Sequence, residues 1–185
     1  MKKLFIVSFS IFMVSTMTAQ KEITLENIWK TGTFRINNVF GLVSMNDGIH
    51  YTTIKNDTIF RFSYEKETTP EIIVSKSQLL LNGTAINIDN YQFSPDENKM
   101  LIASGTEQIY RHSTRENYYV YDRTAKTLIP VTKGEKQMHA TFSPDGSKVG
   151  FVRGNNIFIK DLATGKETQV TTDGSQNNII NGATD

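Results

Sequence analysis

The sequence predicts an all-β protein, namely part of a β-propeller with about three blades of antiparallel strands and a short N-terminal helix. Within its 185 residues, one turn-and-strand pattern begins at Phe93 and begins again 49 residues later at Phe142. A weaker copy lies upstream, at residues 43–51. Further alternating strands separated by polar turns follow each copy. Three or four short strands in each unit of about 50 residues are typical of propeller blades.

The turn motif decides between a propeller and a β-sandwich, because regularly spaced strands occur in both folds. The two strong copies, residues 93–103 and 142–152, both begin Phe-Ser-Pro-Asp. Pro95 sets the backbone angle of its turn, Asp96 caps the turn through its side chain, and Gly146 permits a left-handed conformation. A sandwich does not require one motif to return at a fixed interval, so the repeat favours the propeller.

The N-terminal part of the chain predicts a short helix and, before it, a signal peptide. Residues 24–29 can form one or two turns of helix, with Thr24 as the cap. Residues 1–20 predict a secretory signal peptide, because two lysines precede an apolar run over residues 4–14 and a small, polar stretch follows. That run would extend only about 16 Å as a helix, against a hydrocarbon core of about 30 Å. We therefore expect export to the periplasm, the cell surface or the medium, without a permanent membrane span.

Composition and charge exclude several classes of protein. With 38% hydrophobic and 21% charged residues, the chain is not a disordered tail, a collagen or a polytopic membrane protein. The formal net charge of the whole chain is +1. Without the two lysines of the leader, the chain has 18 basic and 19 acidic residues. A nucleic-acid partner would require a concentrated basic face, so none is expected. Cysteine is absent, which excludes disulfides, thiolate metal sites and a cysteine nucleophile.

The middle unit contains an insertion. From Phe93 to Asp122 the chain advances 29 residues, whereas the equivalent interval from Phe142 to Asp161 is 19. The surplus falls within residues 106–117, which include two arginines, one histidine and two glutamates. A rigid scaffold often presents functional groups on such a loop, and a solvated hairpin with no task is an equal alternative. The surplus predicts a protruding, loosely packed hairpin.

Two segments are specific enough to suggest a family. The insertion contains Tyr-Arg-His-Ser-Thr at residues 110–114, followed by Tyr-Tyr-Val-Tyr-Asp at residues 118–122. The C-terminal stretch, residues 170–185, ends in Asn-Gly-Ala-Thr-Asp. Together with the leading segment at residues 24–29 and the hairpin around residues 55–60, they resemble the N-terminal propeller portion of dipeptidyl peptidase IV. That peptidase belongs to the prolyl oligopeptidase family of serine peptidases.

The resemblance implies an exported, proline-specific dipeptidyl peptidase in which a propeller covers a catalytic α/β-hydrolase domain. Such an enzyme removes dipeptides from peptide N-termini that have Pro, or less readily Ala, in second position, and it can be a homodimer. In that family, a run similar to residues 181–185 leads directly into two glutamates that hold the substrate's amino terminus. Arg111 corresponds to the propeller arginine that binds substrate near this end.

The leader, the repeats and the resemblance together assign the parts of the chain. Residues 1–20 would be the signal peptide and residues 21–185 the N-terminal part of the propeller. Because propellers typically close with four to eight blades, we expect closure by other chains or a longer protein that includes the hydrolase domain. The open flanks of three blades predict that residues 21–185 alone associate.

The sequence offers no catalytic residue of its own. It has no Gly-x-Ser-x-Gly motif, and Ser94 and Ser143 stand before prolines in turns. Its three histidines, His50, His112 and His139, show neither triad nor metal-ligand spacing. No metal site and no cofactor are therefore predicted, and the chain alone is expected to be inactive. A non-enzymatic propeller that serves as a binding or scaffold module in the cell envelope is the alternative.

Overall fold

The computed structural model describes residues 23–36 and 41–183. The chain divides into two compact units, Met1–Asn38 and Val39–Asp185. The signal peptide predicted at residues 1–20 lies outside the described residues. Among the helices of the described part, none is long and apolar enough to cross a membrane.

The first unit contains the short helix α1, Leu25–Trp29. Thr24 precedes it in an extended conformation, and its hydroxyl accepts a hydrogen bond from the backbone N–H of Asn27 at 3.1 Å. That bond satisfies one of the N–H groups that the first turn of a helix leaves free, so the predicted cap is confirmed. Lys30 pairs with Glu26 at 3.0 Å on the exposed surface.

The second unit consists of three four-stranded sheets and one hairpin. The first sheet contains β1 (Val43–Ser44), β2 (His50–Lys55), β3 (Thr58–Ser63) and β4 (Glu71–Val74). A 3-10 turn (Lys76–Gln78) and the hairpin of β5 (Leu80–Leu81) and β6 (Thr84–Ala85) follow. The second sheet contains β7 (Asn90–Phe93), β8 (Lys99–Gln108), β9 (Thr114–Asp122) and β10 (Thr127–Pro130). The third contains β11 (Met138–Phe142), β12 (Lys148–Arg153), β13 (Asn156–Asp161) and β14 (Glu167–Gln169).

The strand order identifies these sheets as propeller blades. In each four-stranded sheet the order in space follows the order in the chain, and every pairing is antiparallel. This up-and-down arrangement, repeated three times at the interval of the sequence repeat, is that of propeller blades. The predicted fold class is therefore confirmed: an all-β, partial propeller of three blades with a short N-terminal helix.

The second blade is buried on both faces. Successive side chains of a strand point to opposite sides. Met100 and Ile102 of β8 therefore pack in one cluster with Ile59 of the first blade, and Leu101 packs in another with Phe151 of the third blade. All five side chains are at most 2% exposed. Burial of one such side chain contributes about 1.5–3 kcal/mol, so these two clusters hold the three blades together.

The repeated turns are fixed by one hydrogen-bond pattern. The hydroxyl of Ser94 donates to Asp96 Oδ1 at 2.6 Å and accepts from the backbone N–H of Lys99 at 2.9 Å. In the third blade, the hydroxyl of Ser143 donates to Asp145 Oδ1 at 2.5 Å. The hydrogen bond from Ser94, followed by those from Asn98, lowers the pKa of Asp96 to about 2.

These turns also link one blade to the next. Asn46, in the first blade's copy of the turn, donates from its backbone N–H to Glu97 and from its side-chain amide to the carbonyl oxygen of Pro95. The turn of the third blade packs against the same residue, Pro95. A Cβ atom added at Gly146 would be 3.5 Å from the Cδ atom of Pro95. Gly146 has a φ of +67°, which confirms the left-handed conformation predicted there.

Candidate functional site

The hairpin of β8 and β9 projects beyond the second blade. β7 pairs with β8 only up to Ala103, and β10 pairs with β9 only down to Tyr119, whereas β8 and β9 stay paired as far as Gln108 and Thr114. We call residues 104–117 the arm. The corresponding hairpin of the third blade ends in a two-residue turn and is ten residues shorter (148–161 against 99–122). The protrusion predicted for residues 106–117 from the spacing of the repeats is confirmed. The loose packing predicted with it is wrong at Ser113 and Glu116, which are both buried.

A β-bulge lies at the beginning of the arm. Ser104 pairs with Asn117 and Glu107 pairs with Arg115, so β8 contains one residue more than β9 over this interval. Gly105, inside the bulge, has a φ of +66°, a conformation that glycine adopts without strain. A bulge bends its strand and increases the local twist, so the arm leaves the plane of the blade here.

The base of the arm is anchored between the second and third blades. Glu116 and Gln137 exchange two backbone hydrogen bonds, of 2.9 and 2.8 Å. Both residues are buried, and the carboxylate of Glu116 accepts a 2.8 Å hydrogen bond from the hydroxyl of Tyr118. Burial, followed by the hydrogen bond to Glu116, raises the pKa of the Tyr118 phenol. The buried polar groups are thus paired with one another, which fixes the arm where it leaves the core.

An ionic cluster braces the middle of the arm. Arg115 Nη2 lies 2.7 Å from Glu107 Oε1, and Lys136, from the segment that joins the second and third blades, lies 3.4 Å from Glu107 Oε2. Lys136 also donates to the carbonyl oxygen of Gly105 at 2.6 Å. The hydrogen bond from Arg115 lowers the pKa of Glu107. Because these side chains are 31–50% exposed, the cluster orients the arm more than it stabilises the fold.

The tip of the arm, residues 109–113, presents Arg111 to solvent. The backbone N–H groups of Ile109 and Tyr110 both donate to the carbonyl oxygen of Ser113, at 2.8 and 3.2 Å. Arg111 is exposed, and among the residues that the structure describes none forms a hydrogen bond or ion pair with its guanidinium. The predicted substrate residue is therefore an exposed cation on an anchored arm, with no partner among the described residues.

The three histidines lie apart. His112 is exposed at the tip of the arm, and His139 is exposed on β11. His50 Nδ1 lies 2.6 Å from Asp47 Oδ2 within the first blade. Over residues 23–36 and 41–183, no three His, Asp or Glu side chains converge where a metal ion could bind.

A groove of about 780 Å³ separates the arm from the third blade. Glu107 and Arg115 line it on the side of the arm, while Asn155 and Gln176 line it on the other side. Its charged groups are largely paired, since Arg115 and Lys136 both contact Glu107. Arg111 is not among the residues that line this groove.

The segment after the third blade folds back tightly onto that blade. The side-chain oxygen of buried Asn156 accepts a hydrogen bond of 2.9 Å from the backbone N–H of Gly174. Gly174 lies so close to the carbonyl oxygen of Asn155 that a Cβ atom would overlap it. Further on, a Cβ at Gly182 would be 2.8 Å from Ile157 Cγ1. Two glycines thus permit a close approach that any side chain would prevent, and the position of this segment is fixed.

Sequence comparisons relate the chain to peptidases. Residues 94–185 match the family described as dipeptidyl peptidase IV (DPP IV) N-terminal region. Dipeptidyl aminopeptidase B of Saccharomyces cerevisiae is 26% identical over 143 residues, which cover 77% of this chain and 17% of the relative. Prolyl endopeptidase FAP of Bos taurus is 29% identical over 176 residues, which cover 92% of this chain and 22% of the relative.

A solved structure supports the same relationship. The crystal structure of Porphyromonas gingivalis dipeptidyl peptidase 4 matches with a TM-score of 0.75 and 38% identity, over 91% of this chain and 24% of that one. The chain belongs to the dipeptidyl peptidase IV family, as a part of its N-terminal region. It spans 17% and 22% of the lengths of the two curated relatives.

Membership of the dipeptidyl peptidase IV family confirms the resemblance drawn from residues 110–114 and 170–185. Both segments fall in the part of the chain that matches the family. Sequence reasoning assigned no role to Gln108, whose amide contacts the backbone of the adjacent turn. It also assigned none to Glu116 and Lys136, because their partners Gln137 and Glu107 are distant in the chain. Such contacts leave no local pattern in the sequence.

Proposed function

We propose that this chain is the N-terminal propeller portion of an exported, proline-specific dipeptidyl peptidase of the serine type. In this proposal residues 1–20 direct export, and residues 21–185 form part of a propeller that controls access to the catalytic centre. The chain supplies one substrate-binding residue, Arg111. The observation that supports this most is the guanidinium of Arg111, which is exposed on an anchored arm and has no partner in the described part of the chain, within the region that matches the family.

The chemistry of the arm favours Arg111 over its neighbour Arg115. A guanidinium presents a planar fork of N–H donors, which can serve a peptide carbonyl and a carboxylate at once. Arg115 already donates to Glu107, whereas Arg111 has no partner among the described residues. Its donors are therefore available to the carbonyl oxygen near the amino terminus of a bound peptide.

The segment after the third blade supports a shared substrate site. Gly174 and Gly182 hold it closely against that blade, so the position of residues 174–182 is fixed. In the family, a similar run precedes the two glutamates that bind the substrate's amino group. We propose the same order here, with the glutamates after Asp185 and Arg111 acting on one end of the peptide.

The test uses the protein encoded by the whole reading frame that contains this chain. Purified from the periplasm or the medium, it should release dipeptides from Ala-Pro and Gly-Pro reporter substrates and spare substrates with a blocked amino terminus. N-terminal sequencing should place the first residue near Gln20 or Lys21. A reading frame that stops after Asp185, with a product that cleaves neither substrate, would instead favour a non-enzymatic propeller module of the cell envelope.

A further inference from the structure

The side chain of Gln108 crosses the tip of the arm. Gln108 is the last residue of β8, immediately before the turn at residues 109–113. Its amide nitrogen donates a hydrogen bond to the carbonyl oxygen of Tyr110 and lies 3.4 Å from the carbonyl oxygen of Ser113. One amide group thus contacts the backbone on both sides of the residues that the turn exposes.

The first of these bonds holds the peptide unit from which Arg111 leaves the turn. The carbonyl group of Tyr110 and the N–H of Arg111 belong to the same planar peptide unit. A hydrogen bond that fixes this carbonyl therefore fixes the plane of the unit, and with it the positions of the N and Cα atoms of Arg111 from which its side chain departs. Among the described residues, no other side chain donates to this carbonyl oxygen.

The rest of the arm does not depend on Gln108. Glu116 and Gln137 anchor its base through backbone hydrogen bonds, and Glu107 with Lys136 braces its middle. Removal of the Gln108 amide should therefore leave the arm and the backbone hydrogen bonds from Ile109 and Tyr110 to Ser113 in place, and free only the carbonyl group of Tyr110. Over residues 23–36 and 41–183, the guanidinium of Arg111 has no partner that could restore its orientation.

We propose that Gln108 is a positioning residue, which orients Arg111 for the substrate without contacting the substrate itself. The inference rests on the proposed role of Arg111. Because a side chain that is held in place loses less entropy on binding, the contribution of Gln108 appears as substrate affinity and turnover rather than as stability.

The experiment is a double-mutant cycle in the peptidase that contains this chain. Gln108→Met keeps the length of the side chain and removes its N–H donors. Gln108→Glu replaces the amide nitrogen by a carboxylate oxygen, which cannot donate to the carbonyl oxygens of Tyr110 and Ser113. Each should lower kcat/KM on an Ala-Pro reporter roughly 3- to 10-fold, the range expected for the loss of one neutral hydrogen bond. In an Arg111→Ala background, the same substitutions should produce no further loss.

A matched control is available on the third blade. The amide of Gln169 also donates to a backbone carbonyl oxygen, that of Thr171, at 2.8 Å. Gln169→Met should leave kcat/KM unchanged.

Each outcome of the cycle is informative. Losses at Gln108 that persist undiminished in the Arg111→Ala background would show that it acts independently of Arg111 and would overturn the inference. An unchanged kcat/KM for Gln108→Met, beside an impaired Arg111→Ala, would overturn the inference alone. An unchanged Arg111→Ala would overturn the proposed substrate role as well.

Discussion

Glu107 and Arg115 are paired across the arm, with Arg115 Nη2 at 2.7 Å from Glu107 Oε1. Arg111, four residues earlier, has no such partner among the described residues. The pairing directs one arginine along the arm and leaves the other at its tip. Two identical side chains of one short segment therefore have different environments, and different roles are expected of them.

The first prediction compares these two arginines in the complete peptidase. In a closed substrate chamber, a charge-assisted hydrogen bond from Arg111 contributes about 1.5–3 kcal/mol, so Arg111→Ala should lower kcat/KM roughly 10- to 150-fold. Arg115→Ala removes only an exposed ion pair and should change kcat/KM by less than about 3-fold. Arg111→Lys should recover part of the loss, because a point charge cannot reproduce the planar fork.

Steady-state kinetics on an Ala-Pro or Gly-Pro reporter substrate measure all three variants. If Arg115→Ala were impaired while Arg111→Ala kept wild-type efficiency, the assignment within the arm would be wrong. Equal, wild-type values for both variants would remove the arm from the substrate site.

The second prediction concerns the segment after the third blade. A Cβ at position 174 would overlap the carbonyl oxygen of Asn155, and backbone atoms cannot move aside as a side chain can. Gly174→Ala should therefore cost about 1–3 kcal/mol of unfolding free energy and lower the Tm. The control is Gly150→Ala in β12, where the nearest atom to a new Cβ would be 4.0 Å away. A Tm for Gly174→Ala equal to that of the control would show that this segment is not packed as described.

The repeated turns show how much of this fold can be predicted from the sequence. The positions of Pro95, Asp96 and Gly146 predicted three blades and a left-handed glycine, because turn chemistry is local and recurs at a constant interval. The difference between two intervals likewise predicted the length of the arm. These signals need only a short stretch of chain and a count of residues.

The environment of Arg111 could not be predicted in the same way. The pairing of Arg115 depends on a bulge at Gly105, which sets which side chains face each other across the hairpin. The ion pair between Glu107 and Lys136 joins residues 29 positions apart in the chain. This contact arises only once the segment between the second and third blades lies against the arm, so no pattern of neighbouring residues predicts it.

The third prediction is a pH dependence that originates in the second-blade turn. The hydrogen bond from Ser94, followed by those from Asn98, lowers the pKa of Asp96 from 3.8 to about 2. The folded state therefore favours the ionised carboxylate. Its contribution to stability is complete above the unfolded pKa of 3.8 and is lost as the pH falls from about 4 towards 2.

Thermal unfolding of the wild type and of Asp96→Asn over this pH range measures the contribution. The wild type should have the higher Tm at pH 5, and the difference should shrink steadily as the pH approaches 2. A difference that stays constant between pH 5 and pH 2 would contradict the lowered pKa.

The outer face of the first blade is apolar and partly exposed. Because side chains alternate along β3, Phe62 lies on the face opposite to buried Ile59. Tyr51 stacks on Phe62 with ring centroids 5.2 Å apart, and Ile72, on the same face, is 55% exposed. A contiguous apolar patch favours association with another apolar surface, because the contact removes both surfaces from water.

The last prediction is that residues 21–185, expressed alone, associate through this face. Ile72→Lys introduces a charge that would have to be buried in such a contact, so it should shift the protein towards the monomer in size-exclusion chromatography with light scattering. Ile129→Lys is the matched control, because Ile129 is 39% exposed on β10 of the second blade, away from this face. Association that Ile129→Lys reduces as much as Ile72→Lys does would point to general solubility rather than to the first blade. A monodisperse, cooperatively melting monomer of the unsubstituted chain would contradict the prediction outright.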